Sequence, residues 1–382
     1  MIQINVTGRT TGHCAQNRLP KFFGSRPWLK DTHMDTLTLV ERIGESPTAA
    51  LFGLITGVIF GVSAQRSRFC LRAATVEFAR GVMGPRVAVW LLTFSTALVW
   101  VQGAQMLGLF RGSDARIMAV TGSWSGAVIG GLMFGAGMVL ARGCSGRLLV
   151  LASTGNLRSV ITGLIFAVTA QMSLHGILAP YRDKLAMLWI TPNGENVNLL
   201  NALHLPQQTG IVLGAVTAAL ALYLAARHKI GPKTWIFASG VGFSVAVGWM
   251  LTWSLAQIAF DPVPVTSATF SGPSANTLMF FLDRNAVLEF DVGLVPGVVL
   301  GALISSLIAG EFRWQAFDSV PVMRSAMIGA VLMGFGAMLA GGCAIGAGVT
   351  GGSVFAATAW LALFCMWIGA VITTHLFDLR LG

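Results

Sequence analysis

Charge is what this 382-residue sequence has least of. Asp, Glu, Lys and Arg together make up 10%, and only 15 residues are acidic. A soluble globule has about a quarter of its residues charged, so this chain could not cover a water-facing surface. Tyrosine is nearly missing too, at two against 23 phenylalanines. The five cysteines (Cys14, Cys70, Cys144, Cys343 and Cys365) include no C-x-x-C pair and no zinc-type cluster with histidine. No G-x-x-x-x-G-K-[ST] loop occurs, which excludes P-loop hydrolysis of ATP. The chain also lacks a basic run of the kind that binds nucleic acid. Its first 46 residues lack the apolar core of a secretory signal.

What is abundant points to lipid. Hydrophobic residues make up 54% and mean hydropathy is +0.73. The partner implied is a lipid bilayer. The 46 glycines suit helices in lipid, where close backbone approach replaces the hydrophobic drive. A formal net charge of +10 favours anionic headgroups or anionic solutes.

About 18–25 apolar residues are needed to cross the hydrocarbon core. The sequence offers nine such runs: 47–64, 87–110, 123–141, 159–179, 209–226, 234–254, 291–310, 323–341 and 354–377. The fold expected is an all-α integral membrane protein with about nine transmembrane helices. Four further segments are too short to cross and too apolar for plain loops: 66–81, 143–156, 265–282 and 342–353. Segments of this kind are candidates for re-entrant helices buried in protein. They follow the first, third, sixth and eighth spans. Residues 1–46 are expected to be a mobile tail, with Met34 as an alternative start.

The chain repeats itself. Residues 129–144 (IGGLMFGAGMVLARGC) and 328–343 (IGAVLMGFGAMLAGGC) agree at eight of sixteen positions and end on the same Gly-Cys. A weaker echo joins GVIFGV (57–62) to GVGFSV (240–245). The organisation expected is a first membrane repeat over 47–180, a connector over 181–230 carrying the fifth span, and a second repeat over 231–382. The third and eighth spans are an odd number of crossings apart, so the repeats would run oppositely, as an inverted pseudo-two-fold. With the N-terminus outside, the cytoplasmic loops hold most of the arginines, which agrees with the positive-inside rule.

A cysteine in an apolar helix is usually a small inert hydrophobe, and Cys365 is read that way. Cys70, Cys144 and Cys343 differ. Cys144 and Cys343 lie where a glycine-rich spanning helix ends and a short one is expected to begin. There, free N–H groups carry partial positive charge and attract anions. Arg66, Arg68 and Arg72 surround Cys70, and Arg142 and Arg147 bracket Cys144. These arginines have a plainer reading as headgroup anchors. Gly143 and Gly342, which precede two of the thiols, have a plainer reading as close-packing positions. Glu77, Asp291 and Glu311 lie near apolar segments, where ionisable groups are functional by default. The last two are read as marking the ends of the seventh span.

The motifs R-S-R-F-C (66–70), A-R-G-C-S-G (141–146) and G-G-C-A-I-G (341–346) resemble those of the YeeE/YedE sulfur-transport family over about residues 47–377. The resemblance implies an hourglass-like, pseudo-symmetric protein of the bacterial inner membrane that takes up thiosulfate. Cys70, Cys144 and Cys343 would then line a narrow path and pass the anion along by S–H···S hydrogen bonds. The resemblance implies transport, not an enzyme, with a small sulfur-containing anion as substrate. No cofactor or metal is called for, and a cytoplasmic sulfur-carrier protein is a candidate receiver. The chemistry agrees, because a neutral thiol is a weak donor and weak acceptor. It can hold a sulfur anion without trapping it.

Alternatives stay open at this point. Other sulfur or selenium species would suit the same path. A membrane sulfurtransferase would need a nucleophilic cysteine and a base, and no histidine stands near the three thiols in sequence. A Cu(I) carrier would use cysteine and methionine, but flanking arginines oppose a cation. A structural scaffold would leave the repeated Gly-Cys without a reason.

Overall fold

The computed structural model describes residues 36–284, 286–316 and 319–381. The expectations for residues 1–35, with Cys14 and Met34, lie outside the described residues. Residues 36–43 are helical, and Gly44, at φ 90°, turns the chain into the first long helix.

Among the described residues, nine helices are long and apolar enough to cross a membrane. In chain order they are Glu45–Ser67, Pro85–Met106, Trp124–Leu140, Leu157–Leu174, Gln208–Arg227, Pro232–Ala256, Phe290–Ile308, Val320–Leu339 and Ala357–Leu381. The protein is an all-α, multi-pass membrane protein. Local sequence explains the helix starts. Pro85 and Pro232 open the second and sixth spans, where a missing N–H costs nothing. The Ser123 hydroxyl accepts from the Gly126 N–H and the Asn156 side chain accepts from the Ser159 N–H, capping the third and fourth spans. Glu77, an ionisable group in an apolar segment, accepts the N–H groups of Arg86 (2.8 Å) and Val87 (3.0 Å). It therefore serves the positive end of the second span.

Glycine fixes which spans touch. Gly53, Gly57 and Gly61 of the first span interlock with Gly293, Gly297 and Gly301 of the seventh. A Cβ at any of the six would meet the partner's backbone. A helical glycine costs about 0.5–1 kcal/mol relative to alanine, and backbone contact of this closeness is what it permits. Positions rise together along both helices, so the two run parallel. Along the third and eighth spans, Gly130 abuts Gly336, and Gly137 abuts Gly329. These positions run in opposite order, so this pair is antiparallel. Gly131 and Gly135 of the third span lie against Ala362 and Met366 of the ninth.

The packed pairs follow one scheme. The first span packs on the seventh and the sixth on the second; the third packs on the ninth and the eighth on the fourth. Exchanging spans one to four with six to nine carries each pair onto another pair. The fifth span stands outside this scheme and lies along the second, with Gly214 against Leu98 and Val99.

Short helices follow the first, third, sixth and eighth spans: Leu71–Ala79, Ser145–Ser153, Gly272–Leu282 and Ala344–Gly351. Each falls in one of the four short apolar segments. The last is a π-helix, a form that often marks functional sites.

Candidate functional site

The three motif cysteines occupy one kind of place. Cys70, Cys144 and Cys343 are each the residue at the head of a short helix, in extended backbone conformation. Two residues before each stands a left-handed residue: Arg68 (φ 52°), Arg142 (φ 56°) and Gly341 (φ 77°). That residue ends the long helix and the thiol opens the short one. The first-turn N–H groups of a helix have no intrahelical acceptor, so each thiol sits beside a small cluster of donors. The fourth short helix, Gly272–Leu282, is headed by Ser271 instead.

These heads meet. The thiols of Cys70 and Cys144 lie close to one another, and Cys343 is near enough to act electrostatically on Cys144. The sulfur of Cys343 accepts from the N–H groups of Phe270 and Gly346, both at 3.4 Å, with the Thr269 hydroxyl at 4.0 Å. A Cβ on Gly146 would touch Ile345 and the Phe270 ring, and one on Gly346 would strike Thr269. Phe60 packs on Phe270 at 4.8 Å between ring centroids. Cys144 and Cys343 are fully buried, and Cys70 is part-buried. Weakly polar sulfur is thus set in an apolar wall, with helix N-termini to offset negative charge.

The arginines divide. Arg147 acts electrostatically on both Cys70 and Cys144, and its Nη1 is buried with no hydrogen-bond partner. Arg72 acts on Cys70. Arg66 and Arg68 line a cavity of about 480 Å³ with Arg86, Lys233 and Glu311. Arg68, Arg147, Arg313 and Glu311 line a second, of about 300 Å³. Arg142 is exposed, and its backbone makes the turn before Cys144. Gly143 and Gly342 stand beside their thiols: a Cβ on Gly143 would meet only side chains, at 3.3 Å and beyond, but one on Gly342 would meet the Ala347 backbone N at 2.7 Å. Cys365 lies away from the others, in the ninth span against Gly131.

Sequence reasoning did not single out Thr269, Phe270 and Ser271. They come from the expected short segment 265–282 but carry no cysteine. Nor did it foresee that Glu311 pairs with Arg68 (3.4 Å) and accepts from Gln65 (3.0 Å). Asp291 stands in the first turn of the seventh span, hydrogen-bonded by Asn276 at 2.9 Å, and Glu311 lies just past its last turn, so both mark its ends.

Comparison with known proteins adds to this geometry. The chain is 27% identical over 347 residues to the thiosulfate transporter TsuA of Escherichia coli (strain K12), covering 86% of this chain and 95% of the relative. It is 24% identical over 328 residues to the thiosulfate transporter TsuA of Spirochaeta thermophila, covering 83% and 96%. A family profile described as "Sulphur transport" matches residues 66–372, a stretch that takes in Cys70, Cys144 and Cys343 and seven of the nine spans in full. The chain belongs to the sulphur transport family.

Proposed function

We propose that this protein carries thiosulfate across the bacterial inner membrane, and that Cys70, Cys144 and Cys343 pass the anion along by weak hydrogen bonds. The observation that carries the reading is the meeting of three thiols at the heads of short helices from both halves of the chain. A thiosulfate ion has a soft terminal sulfur and hard oxygens. The thiols suit the first, and helix N–H groups and arginine suit the second. Weak partners allow both entry and release.

The pairing scheme of the spans supports an inverted pseudo-two-fold repeat, with the short helices as re-entrant elements. In this reading Cys144 and Cys343 are related positions, and Ser271 takes the place that Cys70 holds in the first half. The excess of arginine and lysine at one end makes that end cytoplasmic. A sulfur-carrier protein on that side would receive the product.

The test is growth of a bacterium unable to take up sulfate, given thiosulfate as sole sulfur source and expressing this chain or its Cys70, Cys144 or Cys343 alanine variants. Growth that needs the chain and its thiols supports the reading. No growth with wild-type protein present in the membrane turns the substrate to another sulfur or selenium species.

A further inference from the structure

A cavity of about 300 Å³ is lined by Gln65, Arg68, Arg147, Thr154, Glu311 and Arg313. Arg147 connects it to the thiols, since it lines the cavity and acts on Cys70 and Cys144. Arg147 is largely enclosed by protein, and its Nη1 is buried with no hydrogen-bond partner. A buried guanidinium is costly without an anion beside it, and an oxyanion in the cavity that Arg147 lines would supply one. A tetrahedral sulfur oxyanion takes roughly the room of three or four waters at about 30 Å³ each, so the cavity accommodates one.

This cavity and its larger neighbour share Arg68 and Glu311. Six cations line the two together, and Glu311 is the one carboxylate among the described lining residues. It holds Arg68 at 3.4 Å, with side-chain exposures of 62% and 39%. Exposed pairs of this kind contribute little to folding and are easily parted. Six cations without a carboxylate would hold a dianion too firmly to let it go.

We propose that this cavity is an anion station on the release side of the path, where Arg147 binds a small tetrahedral dianion and Glu311 weakens the hold by competing for Arg68. The proposal deepens the transport reading and rests on it for direction, but binding to the station can be measured without transport.

The experiment titrates the purified protein in phosphatidylcholine nanodiscs with sodium sulfate, a dianion of the right shape. Expected results are a Kd raised about tenfold by Arg147→Gln and lowered about fivefold by Glu311→Gln, both effects shrinking as inert salt is added. Glu311→Gln keeps an oxygen to accept from Gln65, so its fold is undisturbed. Arg68→Gln is the second variant and raises Kd about fivefold. Variants that all bind sulfate within twofold of wild type overturn the station, as does an effect that appears only in phosphatidylglycerol nanodiscs. Failed thiosulfate transport with the expected sulfate titration sinks the transport reading and leaves the station standing. Normal transport with an unresponsive titration does the reverse.

Discussion

The sulfur of Cys343 accepts the backbone N–H of Phe270 at 3.4 Å, a bond that ties the head of the π-helix to the segment after the sixth span. The Gly346 N–H reaches the same sulfur at 3.4 Å. Cys343 therefore has a structural duty as a cap as well as its proposed duty on the path, and the two can be separated by substitution.

Serine is a strong helix cap. Cys343→Ser should keep the protein folded and lower thiosulfate uptake at least tenfold. Cys343→Ala removes the acceptor as well and should cost a further ~1 kcal/mol of stability. Uptake in membrane vesicles beside thermal melting of the purified protein separates the two effects. Full uptake by the serine variant would falsify the thiol's role.

Cys365 is the control. It is buried in the ninth span against Gly131, away from the three heads. Cys365→Ala should leave uptake within about twofold of wild type and lower stability modestly, since one small apolar group is lost. A tenfold loss of uptake would mean that the path runs elsewhere.

Much of this arrangement is legible in the sequence. Nine apolar runs give nine spans, because lipid demands length and hydropathy of each helix on its own. The Gly-Cys repeat is visible because Gly130, Gly137, Gly329 and Gly336 meet backbone to backbone, so any side chain would part the helices. The proposed relation of Cys70 to Ser271 is not legible. A longer link after the sixth span shifts the register, and serine in place of cysteine removes the chemical label. The Arg68–Glu311 pair joins residues distant in the chain, and no local pattern encodes it. Glu77 looks functional by composition, yet it caps a helix that begins just beyond it.

Gly143 and Gly342 occupy matching places in the repeat but face different surroundings. A Cβ on Gly143 would meet the Leu148 side chain at 3.3 Å, which can shift, whereas one on Gly342 would meet the Ala347 backbone at 2.7 Å. Gly143→Ala should be tolerated within about 1 kcal/mol, and Gly342→Ala should cost about 1–3 kcal/mol as the π-helix is pushed away. Melting temperatures of the two variants decide the matter, and equal values would contradict this account of the turn.

The nine-span topology predicts opposite faces for two exposed lysines. Single cysteines at Lys184, between the fourth and fifth spans, and at Lys229, between the fifth and sixth, should label from opposite sides of intact spheroplasts, with Lys229 inside. Labelling of both from one side would break the nine-span topology.

The most direct measurement is uptake of radiolabelled thiosulfate into proteoliposomes holding the purified chain, comparing wild type with Cys144→Ala. Cys144 is the thiol that meets Cys70 and lies near Cys343, so the path should be cut there. The account predicts saturable thiosulfate entry with wild type and entry at the level of empty liposomes with Cys144→Ala. Equal entry by the two proteins, both folded and inserted, would contradict it.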